Sequence, residues 1–273
     1  MFHLAQSHKS FTKVSVYFCL GSYFVLLLLS VIMLRRSVDF SNATQPHQRL
    51  SPLAGMVASL PRDPSYSLRD SLTDVYEGCR GGSIDINIDE LDANVGFCED
   101  FAAGLVGTGG ANGLNEPLIA TITLYTVEFA TATKNFYSAL NEALRNQDRN
   151  KLRPFVRYLW LLLHALSSCP SAEVDLGVRL VYRGLTGELN SLEYATGNEV
   201  VWYQISSCSP DVAVQNEFLG DSGKRVLFHI ELSTSRARVI SSFSAHPEEK
   251  EIVLPPNSRF EVTGVLPLQS VRL

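Results

Sequence analysis

No Cys-x-x-Cys pair occurs anywhere in the 273 residues, and cysteine itself appears only five times. A zinc site of the usual closed spacing is therefore not expected. Basic excess is missing as well: 23 Lys and Arg stand against 28 Asp and Glu, for a formal net charge of -5. Proteins that grip a nucleic-acid backbone carry a basic patch, so nucleic acid is not an expected partner. Nucleotide fingerprints are also lacking. The stretch Gly107-Thr108-Gly109-Gly110-Ala111-Asn112-Gly113 follows no clear strand and fits neither the dinucleotide nor the P-loop spacing, so it reads as a flexible connection. Gly220-Asp221-Ser222-Gly223-Lys224 fails the P-loop spacing too and reads as a hairpin turn.

One long hydrophobic run is present. Val14 to Leu34 contains no charge and is long enough to cross a bilayer as a helix. The residues after it, Met33-Leu34-Arg35-Arg36, lack the small-residue pattern of signal-peptide cleavage. Residues 1–36 accordingly read as a cytoplasmic tail and signal-anchor transmembrane helix, with membrane contact through 14–34. A cleaved signal peptide, giving a secreted protein, is the alternative. Lys9 and Lys13 before the run and Arg35 and Arg36 after it leave the orientation open by the positive-inside rule. The sequon Asn42-Ala43-Thr44 beyond the run predicts a glycosylated, luminal or extracellular domain. Outside the run, Cys79, Cys98, Cys169 and Cys208 allow three disulfide pairings or four buried free thiols, and the order of the chain does not choose.

Residues 37–66 are polar, proline-punctuated and without period, as in a stem. Residues 67–273 form the expected folded domain, able to fold without anchor and stem. Ile88 to Val106 is compatible with a helix, and Pro117 suits the start of another that ends near Tyr125-Thr126. Phe136, Leu140, Ala143 and Leu144 recur at helical spacing, and Leu152 to Leu166 predicts a helix buried on most sides. After Pro170 the period becomes that of strands: Val178–Arg183, Val200–Ile205, the alternation around Val226, Phe228 and Ile230, and Arg238–Ile240. Helices first and strands afterwards predict an α+β fold.

The strands end in Glu249-Lys250-Glu251-Ile252-Val253-Leu254-Pro255-Pro256, an acidic pair leading into an apolar strand and a proline stop. In an extended lead-in, alternation points Glu249 and Glu251 the same way, and two such carboxylates can divide labour. Upstream lie Val181-Tyr182-Arg183-Gly184 and Ile205-Ser206-Ser207-Cys208-Ser209. In this order and at these separations the three segments resemble the arginine–serine–glutamate signature of the arginine-specific mono-ADP-ribosyltransferases, the vertebrate ecto-enzymes and several bacterial toxins. Asp74-Val75-Tyr76-Glu77-Gly78-Cys79, Tyr125-Thr126 and Asn141-Glu142-Ala143-Leu144-Arg145 resemble further landmarks of that family. The resemblance runs from about Ser67 to the end of the chain.

That resemblance implies an ADP-ribosyltransferase-like fold, a helical N-terminal half packed on a β-rich C-terminal half. It further implies transfer of ADP-ribose from NAD to arginine side chains of partner proteins, with release of nicotinamide and without a metal. Arg183 would grip the pyrophosphate, where a planar fork serves better than a point charge. The Gly184 backbone would hold the nicotinamide amide, and Phe218 is either an aromatic wall for that ring or a core residue. Ser207 would orient the catalytic Glu251, which stabilises the oxocarbenium ion, and Ser209 closes the serine step at the cofactor site. Glu249 would meet the incoming guanidinium. Cys208 replaces the family's usual central threonine. Two other readings remain: an NAD glycohydrolase of the same fold, and a catalytically silent cell-surface recognition protein.

Overall fold

Short polar residues start the helices. Ser67 caps α1 (Leu68–Ser71) by accepting from Asp70 N at 3.1 Å, while the Asp70 carboxylate accepts from Ser67 N in return. α2 (Thr73–Arg80) follows at once. Asn87 caps α3 (Ile88–Gly107) through Glu90 N, and Asn115 caps α4 (Glu116–Thr126) through Leu118 N with Pro117 in the first turn. α5 (Phe136–Arg145) buries the stripe Phe136, Leu140, Ala143 and Leu144. Two short 3-10 turns then lead into α6 (Val156–Ser168). The computed structural model describes residues 29–36, 65–130, 134–187, 189–219, 224–233 and 236–267.

α4 is the hub of this layer: every residue from Leu118 to Thr126 is buried. The Phe136 ring meets Tyr158 edge-on at 4.6 Å and Phe155 at 5.9 Å. Removing such a ring costs about 3–5 kcal/mol, which fixes α5 against α6.

The strands form two sheets. β2 (Leu180–Thr186), β5 (Arg225–Glu231), β1 (Leu29–Arg36), β8 (Ser258–Pro267) and β3 (Glu199–Trp202) lie side by side in that order. β4 (Ser206–Cys208), β7 (Ile252–Leu254) and β6 (Arg238–Val239) make the smaller sheet, and α7 (Val212–Leu219) connects β4 to β5. The small sheet is the middle layer. Ile205 and Val253 pack into the helical core. Cys208, Ile252 and Leu254 pack the other way, with Val181, Phe228, Trp202 and Phe260 of the large sheet. Alternation along β7 thus divides its side chains between two cores.

Three sequence expectations change. The end of the apolar run, Leu29 to Leu34, is strand rather than membrane helix. β1 runs parallel to β5 (Ser30 opposite Val226) and antiparallel to β8 (Val31 opposite Leu266), so both its edges are hydrogen-bonded. An apolar run rich in Leu, Val and Ile suits a doubly paired interior strand as well as a bilayer, and partners distant in sequence decide between them. Among the described residues no helix is long and apolar enough to cross a membrane. Residues 14–28, Asn42, most of the stem and the turn Gly220–Gly223 lie outside the described residues. Second, Val200–Ile205 is not one strand. β3 stops at Trp202 in the large sheet, and the chain crosses over to begin β4 at Ser206 in the small one. Third, no disulfide joins Cys79, Cys98, Cys169 and Cys208, which drops the three pairings that the sequence left open. Burial pushes the Cys98 and Cys169 thiols up to about 12, which leaves them protonated and inert.

Candidate active site

The two sheets touch where β2 meets β4. Tyr182 and Ser209 exchange backbone hydrogen bonds, Tyr182 N to Ser209 O at 2.8 Å and Ser209 N to Tyr182 O at 3.0 Å. This bridge sets Arg183 beside Ser207. The guanidinium Nη1 donates to the Ser207 carbonyl at 2.5 Å, while its buried Nε has no partner among the described groups. β4 pairs with β7, Ser207 opposite Val253, and Glu251, two residues before Val253, meets the Ser207 side chain diagonally on the same face. A cleft of about 230 Å³ opens here, lined by Arg183, Gly184, Ser207, Glu249 and Glu251. Five of the residues singled out in the sequence therefore meet on one wall.

Glu251 is only 5% exposed. Burial pushes its carboxyl up to about 7; the Ser207 hydroxyl and Arg183 oppose the shift and the charge of Glu249 adds to it. A carboxylate with that acidity changes charge near neutral pH, as active-site groups often do. Glu249 is half-buried at the rim.

Strand alternation is not what aligns the two glutamates. Pro247–Glu249 form a 3-10 turn, and Lys250 adopts the left-handed conformation with φ +52° before β7 begins. A residue with a side chain pays about 1 kcal/mol or more for that backbone, so the turn needs anchors. Ser209 Oγ donates to the Glu249 carbonyl at 2.8 Å, and Lys250 Nζ pairs with Asp211 at 3.1 Å. Ser209 thus sits behind the turn, buried, and does not line the cleft. Phe218 falls on α7, whose Leu219 packs on Leu227 at the outer face of β5; the Phe218 side chain lies outside the described residues.

The opposite wall comes from the helical layer, and sequence reasoning had assigned it no chemistry. Tyr125, Thr126, Glu128 and Tyr137 line it, while Leu185 and Thr186 of β2 and His246 of the loop before the glutamates complete the cleft. The Tyr125 and Tyr137 rings meet edge-on at 6.2 Å. Asn141 links the walls: its Oδ1 accepts from Ile205 N at 3.0 Å and its Nδ2 donates to the Tyr125 hydroxyl at 3.3 Å. The landmarks around Tyr125 and Asn141 were visible in the sequence, but their helical period gave only a core role. Among the described residues no cluster of His, Cys, Asp or Glu could hold a metal ion.

A guanidinium, a hydroxyl and two carboxylates around one cleft suit a substrate that carries both phosphate and a developing cation. Residues 112–270 match the family of NAD:arginine ADP-ribosyltransferases. The chain belongs to that family. It is a mono-ADP-ribosyltransferase, with NAD as substrate and the mixed α+β fold of such enzymes. No curated protein sequence matches the chain. Among solved structures, the transferase is similar to the ADP-ribosyltransferase HopU1 of Pseudomonas syringae pv. tomato DC3000, at 22% identity over 74% of this chain and 93% of that one, with TM-score 0.49. It is also similar to the Vibrio splendidus toxin Vis, solved in complex with agmatine, at 18% identity over 66% and 80% with TM-score 0.45. The eukaryotic mono-ADP-ribosyltransferase ART2.2 aligns at 17% identity over 62% and 78% with TM-score 0.39.

Proposed function

We propose that this transferase moves ADP-ribose from NAD to arginine side chains of proteins. The observation that carries the reading is the placement of Glu249 and Glu251 on one cleft wall, one at the rim and one buried beside Ser207 and Arg183. Arg183, on the cleft wall, binds the pyrophosphate, and the Gly184 backbone holds the nicotinamide amide. Ionised Glu251, oriented by Ser207, stands beside the ribose. The C1′–N bond breaks, its electron pair leaves with nicotinamide, and Glu251 stabilises the oxocarbenium ion that results. Glu249 receives the guanidinium of the acceptor arginine and takes the proton released as the new C1′–N bond forms. Ser209 acts from behind by holding the turn that presents Glu249. Residues 67–273 carry the whole cleft, and strand 29–36 completes their sheet.

The purified chain with labelled NAD, with and without agmatine, tests the reading. Labelled ADP-ribosyl-agmatine is the expected product. Free ADP-ribose alone, unchanged by agmatine, would instead identify an NAD glycohydrolase, and no turnover at all a recognition protein.

A further inference from the structure

The loop that leads into the glutamates is clamped to the end of α4 by two threonine hydroxyls. Thr123 Oγ1 shares its proton between the Phe243 carbonyl at 2.9 Å and the Ile119 carbonyl at 3.0 Å, and Thr126 Oγ1 accepts from Ala245 N at 2.8 Å. Between these two fixed residues lies Ser244, only 2% exposed. Its Oγ accepts from His246 N at 3.0 Å and stands 3.5 Å from Glu251 Oε2. A hydroxyl has one proton to give; with the His246 amide on a lone pair, that proton is left for the carboxylate.

We propose that Ser244 is a second positioning residue for Glu251, its hydroxyl donating to Oε2 while Ser207 acts from β4. The two serines reach the carboxylate from different elements: Ser207 stands on a strand of the small sheet and lines the cleft, and Ser244 stands behind it on the loop fastened to α4. Together they leave the carboxylate one orientation toward the ribose and favour its ionised form. The Tyr125-Thr126 landmark thereby acquires a physical task, because Thr126 holds the backbone on which Ser244 stands. The proposal rests on Glu251 being the catalytic carboxylate. Other groups act on Glu251 as well: Arg183, Glu249 and Tyr125 electrostatically, with Glu128 and His246 lining the same cleft.

The test is the pH profile of kcat/KM for NAD, with agmatine as acceptor, for the wild type, Ser244→Ala, Ser244→Thr and Glu251→Gln. Losing a donor to the ionised form raises the pKa of the carboxyl, so the acid limb of Ser244→Ala should move upward by about half a pH unit. Its plateau should fall about three- to tenfold. Ser244→Thr, which keeps the hydroxyl, should restore the wild-type limb; where the added methyl prevents folding, the alanine variant decides alone. An unmoved limb in a folded Ser244→Ala overturns the proposal, whether or not the plateau falls. So does a folded Ser244→Thr that behaves like alanine. If Glu251→Gln keeps full activity, the failure lies in the reading of Glu251 and the proposal falls with it.

Discussion

Arg183 and Ser207 belong to different sheets, yet the Arg183 guanidinium donates to the Ser207 carbonyl at 2.5 Å. One donor of the arginine is thus used to join the sheets, and the same residue lines the cleft, where it would meet an anion. Both tasks need a planar group with several fixed donors, which lysine does not offer.

Arg183→Lys should therefore lose about ten- to a hundredfold in kcat/KM for NAD, in the range of one or two lost charge-assisted hydrogen bonds. The loss should appear mainly as raised KM. Steady-state kinetics check this, and a lysine variant with wild-type KM and kcat would reduce Arg183 to a structural tie between sheets.

The two glutamates should separate by reaction. Glu251→Gln removes negative charge where positive charge develops, at a cost of about a hundred- to a thousandfold in rate. Transfer and hydrolysis should fall together, because both break the same bond. Glu249→Gln should suppress transfer to agmatine while NAD hydrolysis persists. Product analysis with labelled NAD distinguishes them; equal loss of both reactions in Glu249→Gln would overturn the division of roles.

Burial of Glu251 also affects stability. Its pKa in the folded protein, raised by burial to about 7, lies above the ordinary 4.5. Between those values the unfolded chain has released the proton that the folded protein keeps, so stability falls as pH rises through the window. At pH 8 the penalty amounts to about 3 kcal/mol. Glu251→Gln should accordingly be more stable than wild type at pH 8 by up to that amount, with the difference vanishing below pH 4.5. Urea denaturation at the two pH values measures it, and an equal gap at both would show that burial is not the cause.

Strand β1 makes a demand on the chain's N-terminal part. Without residues 29–36, β5 and β8 lose the partner between them and present two open edges. A chain beginning at Ser67 should aggregate or elute as oligomers, whereas one beginning just before Leu29 should be monodisperse. Size-exclusion chromatography of the two decides. A well-behaved 67–273 fragment would mean that β5 and β8 close up without β1.

Much was legible without tertiary structure. Helical spacing marked α5 and alternation marked β5, because periodicity is a local property that burial of one face imposes on neighbouring residues, while apolar composition and Pro117 marked α3, α4, α6, β2 and β7. Arg183, Ser207, Glu249 and Glu251 were legible as short patterns at fixed separations. What decided the rest was pairing between distant segments. The same apolar residues from Leu29 to Leu34 fit a bilayer helix or an interior strand, and only Arg225–Glu231 and Phe260–Pro267 on either side select the strand. The apolar run Val200–Ile205 gave no sign of the switch between sheets at Trp202, since both halves have strand composition. Glu249 and Glu251 were expected to align by alternation, but a left-handed Lys250 anchored on Asp211 aligns them instead. Ser244 carried no signal, and Thr126 carried only a resemblance with no task attached to it. A hydroxyl acquires its role only from the group it faces, and the chain must fold before Thr126 meets Ala245 or Ser244 meets Glu251.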